Sequence, residues 1–166
     1  MRKLKLYLDT SVINFLFADD VPEFKKITEE FFEIVKIGKI FEVYISDVVI
    51  NEITKTNDII KRNNLLSIIQ DYHLIRLPND KDVEISKLAE IYINNGIIPR
   101  GKIEDALHIA YAVVFEMDVL LSWNFKHLAN IKKEKDVLLT NMKNGYNYPI
   151  RIVTPMGVDY EESNDF

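Results

Sequence analysis

The chain has no cysteine. That excludes a disulfide framework and any metal site built on thiolates. It has no apolar run near the roughly 20 residues that a membrane-spanning helix needs, and no signal peptide is expected ahead of its first apolar segment. A cytoplasmic protein with no membrane partner is the expectation. Basic residues are not in excess: 21 Lys and Arg stand against 26 Asp and Glu, a formal net charge of −5. Broad, non-specific nucleic-acid binding relies on a basic field, so that class is disfavoured. A local basic rim around an acidic centre remains compatible with the charge. Repeats, low-complexity tracts and linkers are missing as well. What is present is 48% hydrophobic residues, with nine Phe and eight Tyr in 166 positions. This fits a globular chain with a sizeable core. A single domain is expected over 1–158, followed by an acidic, disordered tail over 159–166.

The pattern begins with Leu4, Leu6 and Leu8 alternating with Lys5 and Tyr7, a strand that stops at Asp9-Thr10-Ser11. A short helix over Val12 to Phe17 follows, broken by Asp19, Asp20 and Pro22. Apolar residues at helical spacing run from Glu23 to Ile37, with Pro22 at the start and Gly38 at the stop. Phe41 to Ile45 reads as a second strand, Ser46 and Asp47 as an N-cap, and Val48 to Thr54 as a helix carrying Glu52. Asn57 to Gln70 reads as an amphipathic helix that buries Ile59, Ile60, Leu65, Leu66, Ile68 and Ile69. A third strand is expected over Leu74 to Leu77. A helix over Asp80 to Ile93 includes Val83 in its apolar set. The nearly all-apolar Ile103 to Met117 reads as a helix buried on most sides. Val119 to Ser122 is a fourth strand, Lys126 to Lys143 a helix in pieces, and Arg151 to Val153 a last strand. Strands alternating with helices predict an α/β fold: a parallel, five-stranded sheet in a three-layer α/β/α sandwich.

Right-handed crossovers put the strand ends on one edge of such a sheet. Four polar groups then converge: Asp9 after the first strand, Glu52 on the helix after the second, Asp105 in the buried helix, and Asn124 after the fourth strand. Each of the three acids has a plainer reading. Asp9 would N-cap the next helix, Asp105 would favour the helix dipole, and Glu52 would face solvent. A carboxylate on a helix that is otherwise buried is costly unless paired or bound to a metal. Three carboxylates repel one another unless a hard cation joins them, and oxygen ligands select Mg²⁺ or Mn²⁺. Thr10 and Ser11 would bond a phosphate or a metal-bound water, or else cap the helix. Arg100 and Lys102 would hold substrate phosphates, or else stand solvated. His108 reads as a hydrogen-bonded core residue before a base, and Trp123 as half-buried packing before a stacking platform.

The ordered set Leu6-Tyr7-Leu8-Asp9-Thr10-Ser11-Val12, Ile45-Ser46 to Glu52-Ile53, Glu104-Asp105-Ala106-Leu107-His108-Ile109-Ala110 and Leu120-Leu121-Ser122-Trp123-Asn124-Phe125 resembles the PIN domain. It is most similar to the small single-domain members that include the VapC-type toxins. The resemblance spans nearly the whole chain. It implies a metal-dependent ribonuclease with Asp9, Glu52 and Asp105 as catalytic, metal-holding acids. It also implies an RNA substrate, an antitoxin partner and a homodimer. A fourth position, often Asp in that family, is Asn124 here, so a second metal would have a neutral amide as its ligand. The rival within the same likeness is a PIN-like module that has lost activity and serves for binding or assembly. A haloacid-dehalogenase-like phosphatase would want a second Asp two residues past Asp9, where Ser11 stands.

Overall fold

β1 (Leu4–Leu8) lies at the centre of the sheet. Its alternation decides why: Leu6 and Leu8 enter one apolar cluster and Tyr7 enters the other, so the strand is buried on both faces. The computed structural model describes residues 2–158; the acidic tail expected over 159–166 lies outside them. Beside β1 stand β2 (Phe41–Ile45), β3 (Ile75–Arg76), β4 (Val119–Leu121) and β5 (Arg151–Val153). The order across the sheet is β3-β2-β1-β4-β5, and every pairing is parallel. The predicted five-stranded parallel sheet between helical layers is therefore found.

The helices are α1 (Thr10–Asn14), α2 (Pro22–Ile37), α3 (Asp47–Thr54), α4 (Ile59–Asp71), α5 (Asp82–Asn94), α6 (Ile103–Val114) and α7 (Ile131–Lys143). Val12 of α1, Phe31 and Phe32 of α2, Val49 and Ile53 of α3 and Leu65 of α4 pack with Leu6 and Leu8. Leu88 of α5, Ile109 and Ala110 of α6 and Val137 of α7 pack with Tyr7 on the opposite face. Local chemistry sets several boundaries. Pro22 opens α2, and Gly38 closes it in the left-handed conformation at φ 72°. Ser46, Asp58 and Asn130 accept backbone N–H bonds at the starts of α3, α4 and α7.

The strand order creates a crevice. Reading outward from β1, the chain goes through β2 and β3 on one side and through β4 and β5 on the other. The helices that leave β1 and β4 go to opposite faces, because α1 and α2 join the first cluster and α7 the second. The carboxyl ends of β1 and β4 thus flank a topological switch point, where open α/β sheets bind ligands.

Several sequence expectations are corrected. α4 buries only Leu65; Ile59 and Ile60 are 61% and 75% exposed. Among the described residues nothing buries the apolar stripe at that end of α4. Val83 is likewise exposed on α5. The third strand shrinks to two residues, with Leu74 and Leu77 buried on either side of it. The first helix starts at Thr10 and gives way to a 3-10 turn over Phe15–Phe17. α7 starts only at Ile131, and α6 ends at Val114. Both rims of the sheet are short, and at β5 the outward N–H of Ile152 donates to Glu134 Oε2 at 2.7 Å. No helix among the described residues is long and apolar enough to cross a membrane.

Candidate functional site

Asp9 occupies the N-cap position of α1, yet its side chain makes no capping bond. It turns instead across the crevice. Ser11 Oγ donates to Oδ1 and Ser122 Oγ donates to Oδ2, each at 2.5 Å. The capping reading of Asp9 is thereby replaced by a bridge from the end of β1 to the end of β4. Both serines are themselves held: Trp123 N–H donates to Ser11 Oγ, and Asn124 N–H to Ser122 Oγ, at 2.9 Å in each case. Asp9 is only 4% exposed. Burial pushes its pKa up; the charge of His108 and the two serine bonds oppose that, Asp105 adds to it, and the net shift is upward.

Glu52 projects from α3. Its Oε1 accepts from Thr10 Oγ1 at 2.9 Å and from His108 Nε2 at 2.6 Å. Its side chain is 32% exposed, and Oε2 takes no hydrogen bond from the described residues. Burial pushes the Glu52 pKa up, but the bond and charge of His108, then Thr10 and Lys55, outweigh it and leave the pKa below the ordinary value.

Asp105 stands in the first turn of α6. Its nearest polar partner is Asn124, whose Nδ2 donates to Oδ2 over a long 3.4 Å. Burial raises the Asp105 pKa, His108 and His127 pull it down, Glu52 pushes it up and Lys102 pulls it down; the net direction is upward. Among the described residues neither Asp9 nor Asp105 has an ion-pair partner. Two carboxylates thus sit in the crevice with their charged forms disfavoured.

The remaining expected residues divide. Thr10 and Ser11 are in the crevice, but their hydroxyls are committed to Glu52 and Asp9. Asn124 is there too; its Oδ1 accepts from His127 N–H at 3.0 Å while its Nδ2 faces Asp105. Lys102 acts electrostatically on Asp105. Arg100 is engaged elsewhere, by Glu90 and Asn94 at 2.8 Å each. His108 is buried, as expected of a core histidine. Trp123 is 4% exposed rather than half-buried. It stacks on Phe15 with ring centroids 5.4 Å apart and donates from Nε1 to Thr28 Oγ1 at 2.9 Å.

Four residues of the neighbourhood were not singled out by sequence: Tyr7, Lys55, Ser122 and His127. Ser122 left a signal, since it is a hydroxyl at the carboxyl end of a parallel strand, as Thr10 and Ser11 are just past Asp9. Tyr7 left none, because its hydroxyl finds its partners only across the sheet.

The donors present are carboxylates and an amide, hard oxygen ligands that suit Mg²⁺ or Mn²⁺. The disfavoured charges of Asp9 and Asp105 are what a bound cation relieves. The side chains are not gathered into a finished cage, however: no three His, Asp or Glu among the described residues form a ready metal-binding cluster. The open groove of about 360 Å³ beside β5 is lined by none of the three acids.

The structure defines an α/β protein with a five-stranded parallel sheet and a carboxylate-bearing crevice at its switch point. No family model, no curated protein and no solved structure matches the chain.

Proposed function

We propose that this protein is a metal-dependent endoribonuclease of the PIN type. The observation that supports it is the placing of Asp9, Glu52 and Asp105, from three different elements, around one crevice, where among the described residues neither Asp9 nor Asp105 forms an ion pair. Asp9, Glu52 and Asp105 would hold Mg²⁺ or Mn²⁺, with Asn124 as a neutral fourth group. Such an ion, when bound, polarises a phosphate oxygen and lowers the pKa of a coordinated water. The chain's own residues do the positioning. Ser11 and Ser122 fix both oxygens of Asp9, and Thr10 and His108 fix Oε1 of Glu52 while Oε2 keeps its valence for the ligand. Lys102, beside Asp105, supplies charge for a substrate phosphate. Arg100 joins it only on leaving Glu90. RNA as the substrate rests on the resemblance, as do an antitoxin partner, a homodimer and a cytoplasmic setting.

A second reading, a weakened module that binds without cutting, is favoured by the lack of a gathered three-ligand cluster and by the amide nitrogen of Asn124 directed at Asp105. Calorimetry with Mn²⁺ and cleavage of a mixed-sequence RNA separate the two. The nuclease binds Mn²⁺ with defined stoichiometry and cuts, and Asp9→Asn, Glu52→Gln and Asp105→Asn each suppress both while staying folded. Wild-type cleavage by all three variants overturns the assignment; no Mn²⁺ affinity in the wild type leaves the binding module.

A further inference from the structure

A buried chain of hydrogen bonds runs behind the crevice. Val48 N–H donates to Ser46 Oγ at 3.2 Å. Ser46 Oγ meets Tyr7 Oη at 2.6 Å, and Tyr7 Oη meets His108 Nδ1 at 2.7 Å. His108 Nε2 then reaches Glu52 Oε1 at 2.6 Å. Ser46 and Tyr7 are 0% exposed and His108 2% exposed. The members come from the end of β2, from β1, from α6 and from α3, so the chain ties four elements to one carboxylate oxygen.

We propose that Tyr7 and His108 are positioning residues for Glu52: the Ser46–Tyr7–His108 chain fixes Oε1 and so aims Oε2 into the crevice. This deepens the metal reading above and rests on it. The direction of the bonds follows from donor inventory. A carboxylate only accepts, so Nε2 carries the proton that meets Glu52. With the ring neutral, Tyr7 donates its hydroxyl proton to Nδ1 and Ser46 donates to Tyr7 Oη; with the ring protonated, Nδ1 donates to Tyr7 Oη, which donates to Ser46. Ser46 itself accepts from Val48 N–H. In either state Nε2 donates to Glu52 Oε1, and Tyr7 and His108 both have partners, as buried networks require. Thr10 adds a second donor to the same Oε1. A glutamate with three side-chain torsions is thereby held at one oxygen from two sides, while the other takes no hydrogen bond from the described residues.

The test uses Tyr7→Phe, which keeps the ring and removes only the hydroxyl, with His108→Gln and His108→Asn as a pair. The glutamine amide reaches toward the Nε2 position, the asparagine amide toward Nδ1. Nitrogen NMR of the three histidines reads the His108 tautomer directly. The wild type should show Nε2–H, with a ring resonance that moves in Glu52→Gln, and Tyr7→Phe should mix the tautomers. In RNA cleavage, Tyr7→Phe should lower kcat and raise the Mn²⁺ concentration for half-maximal rate several-fold, with KM for RNA little changed. His108→Gln should retain clearly more activity than His108→Asn at matched thermal stability. A merely structural role predicts that both substitutions lose activity in step with stability. An Nδ1–H tautomer in the wild type, or an unchanged Mn²⁺ requirement in Tyr7→Phe, overturns the proposal. If the wild type neither binds Mn²⁺ nor cuts RNA, the metal reading fails, and the tautomer and its response to Glu52→Gln still decide whether Tyr7 and His108 hold Glu52.

Discussion

Ser122 and Asp9 lie 113 positions apart in the chain and share a 2.5 Å hydrogen bond across the junction of β1 and β4. With Ser11 on the other oxygen, both oxygens of this buried carboxylate accept a hydroxyl hydrogen bond. Ser122→Ala removes one donor and strands both Asp9 Oδ2 and the N–H of Asn124. Bonds to charged groups contribute about 1.5–3 kcal/mol, so a loss of about 2 kcal/mol is expected. Urea unfolding at neutral pH measures it. Wild-type stability in the variant would mean that the Asp9–Ser122 contact carries no weight.

Asp105 gives a pH signature. Its folded-state pKa is raised, burial being the first cause, so its charge penalises the native state. The penalty is absent below the unfolded value, about 3.9 for Asp. It grows as pH rises through the window between that value and the folded pKa, and is complete above the folded pKa. Asp105→Asn is therefore expected to melt higher than wild type at pH 7 in metal-free buffer and to match it near pH 3. In Mn²⁺ the wild type should gain more than the variant. Calorimetric scans across pH, with and without Mn²⁺, check both halves. A variant that melts lower at pH 7 without metal would show that the Asp105 charge is well accommodated.

Asn124 gives a third expectation. Asn124→Asp keeps the oxygen that accepts from His127 N–H and exchanges the Nδ2 donor for a second acceptor facing Asp105. Without metal, the added like charge should destabilise the fold by about 1 kcal/mol. With metal, it should tighten Mn²⁺ binding and lower the concentration needed for half-maximal cleavage. Titration calorimetry on both proteins measures the change, and an unaltered metal requirement would remove Asn124 from the centre.

Much of this was legible in sequence, for particular reasons. β1 announces itself by strict alternation, and Asp9 by standing where that alternation stops. α2 is bracketed by Pro22 and Gly38, each with a backbone reason to be there. Misreadings began where periodicity was asked for more than it holds. The isoleucines at the start of α4 mark an apolar stripe, but a stripe does not say whether anything lies over it, and Ile59 and Ile60 stay exposed. The acids and most of the side chains that bond them, Thr10, Ser11, His108 and Asn124, stood out in the sequence, but which bonds to which did not. Ser122 matters because β4 pairs with β1, and Tyr7 because β2 and α6 bring Ser46 and His108 to it. Those are facts of topology, which one-dimensional spacing does not carry.

The outward N–H of Ile152 ends on a carboxylate, and Arg151 Nε reaches the same Glu134 Oε2 at 3.1 Å. An unpaired strand rim is a template onto which another polypeptide can extend a sheet. On this rim the position is already taken by a side chain that cannot propagate a ladder. β3 guards the other rim by brevity, being only two residues long. Growth of the sheet into a stack of chains is thus discouraged at both ends.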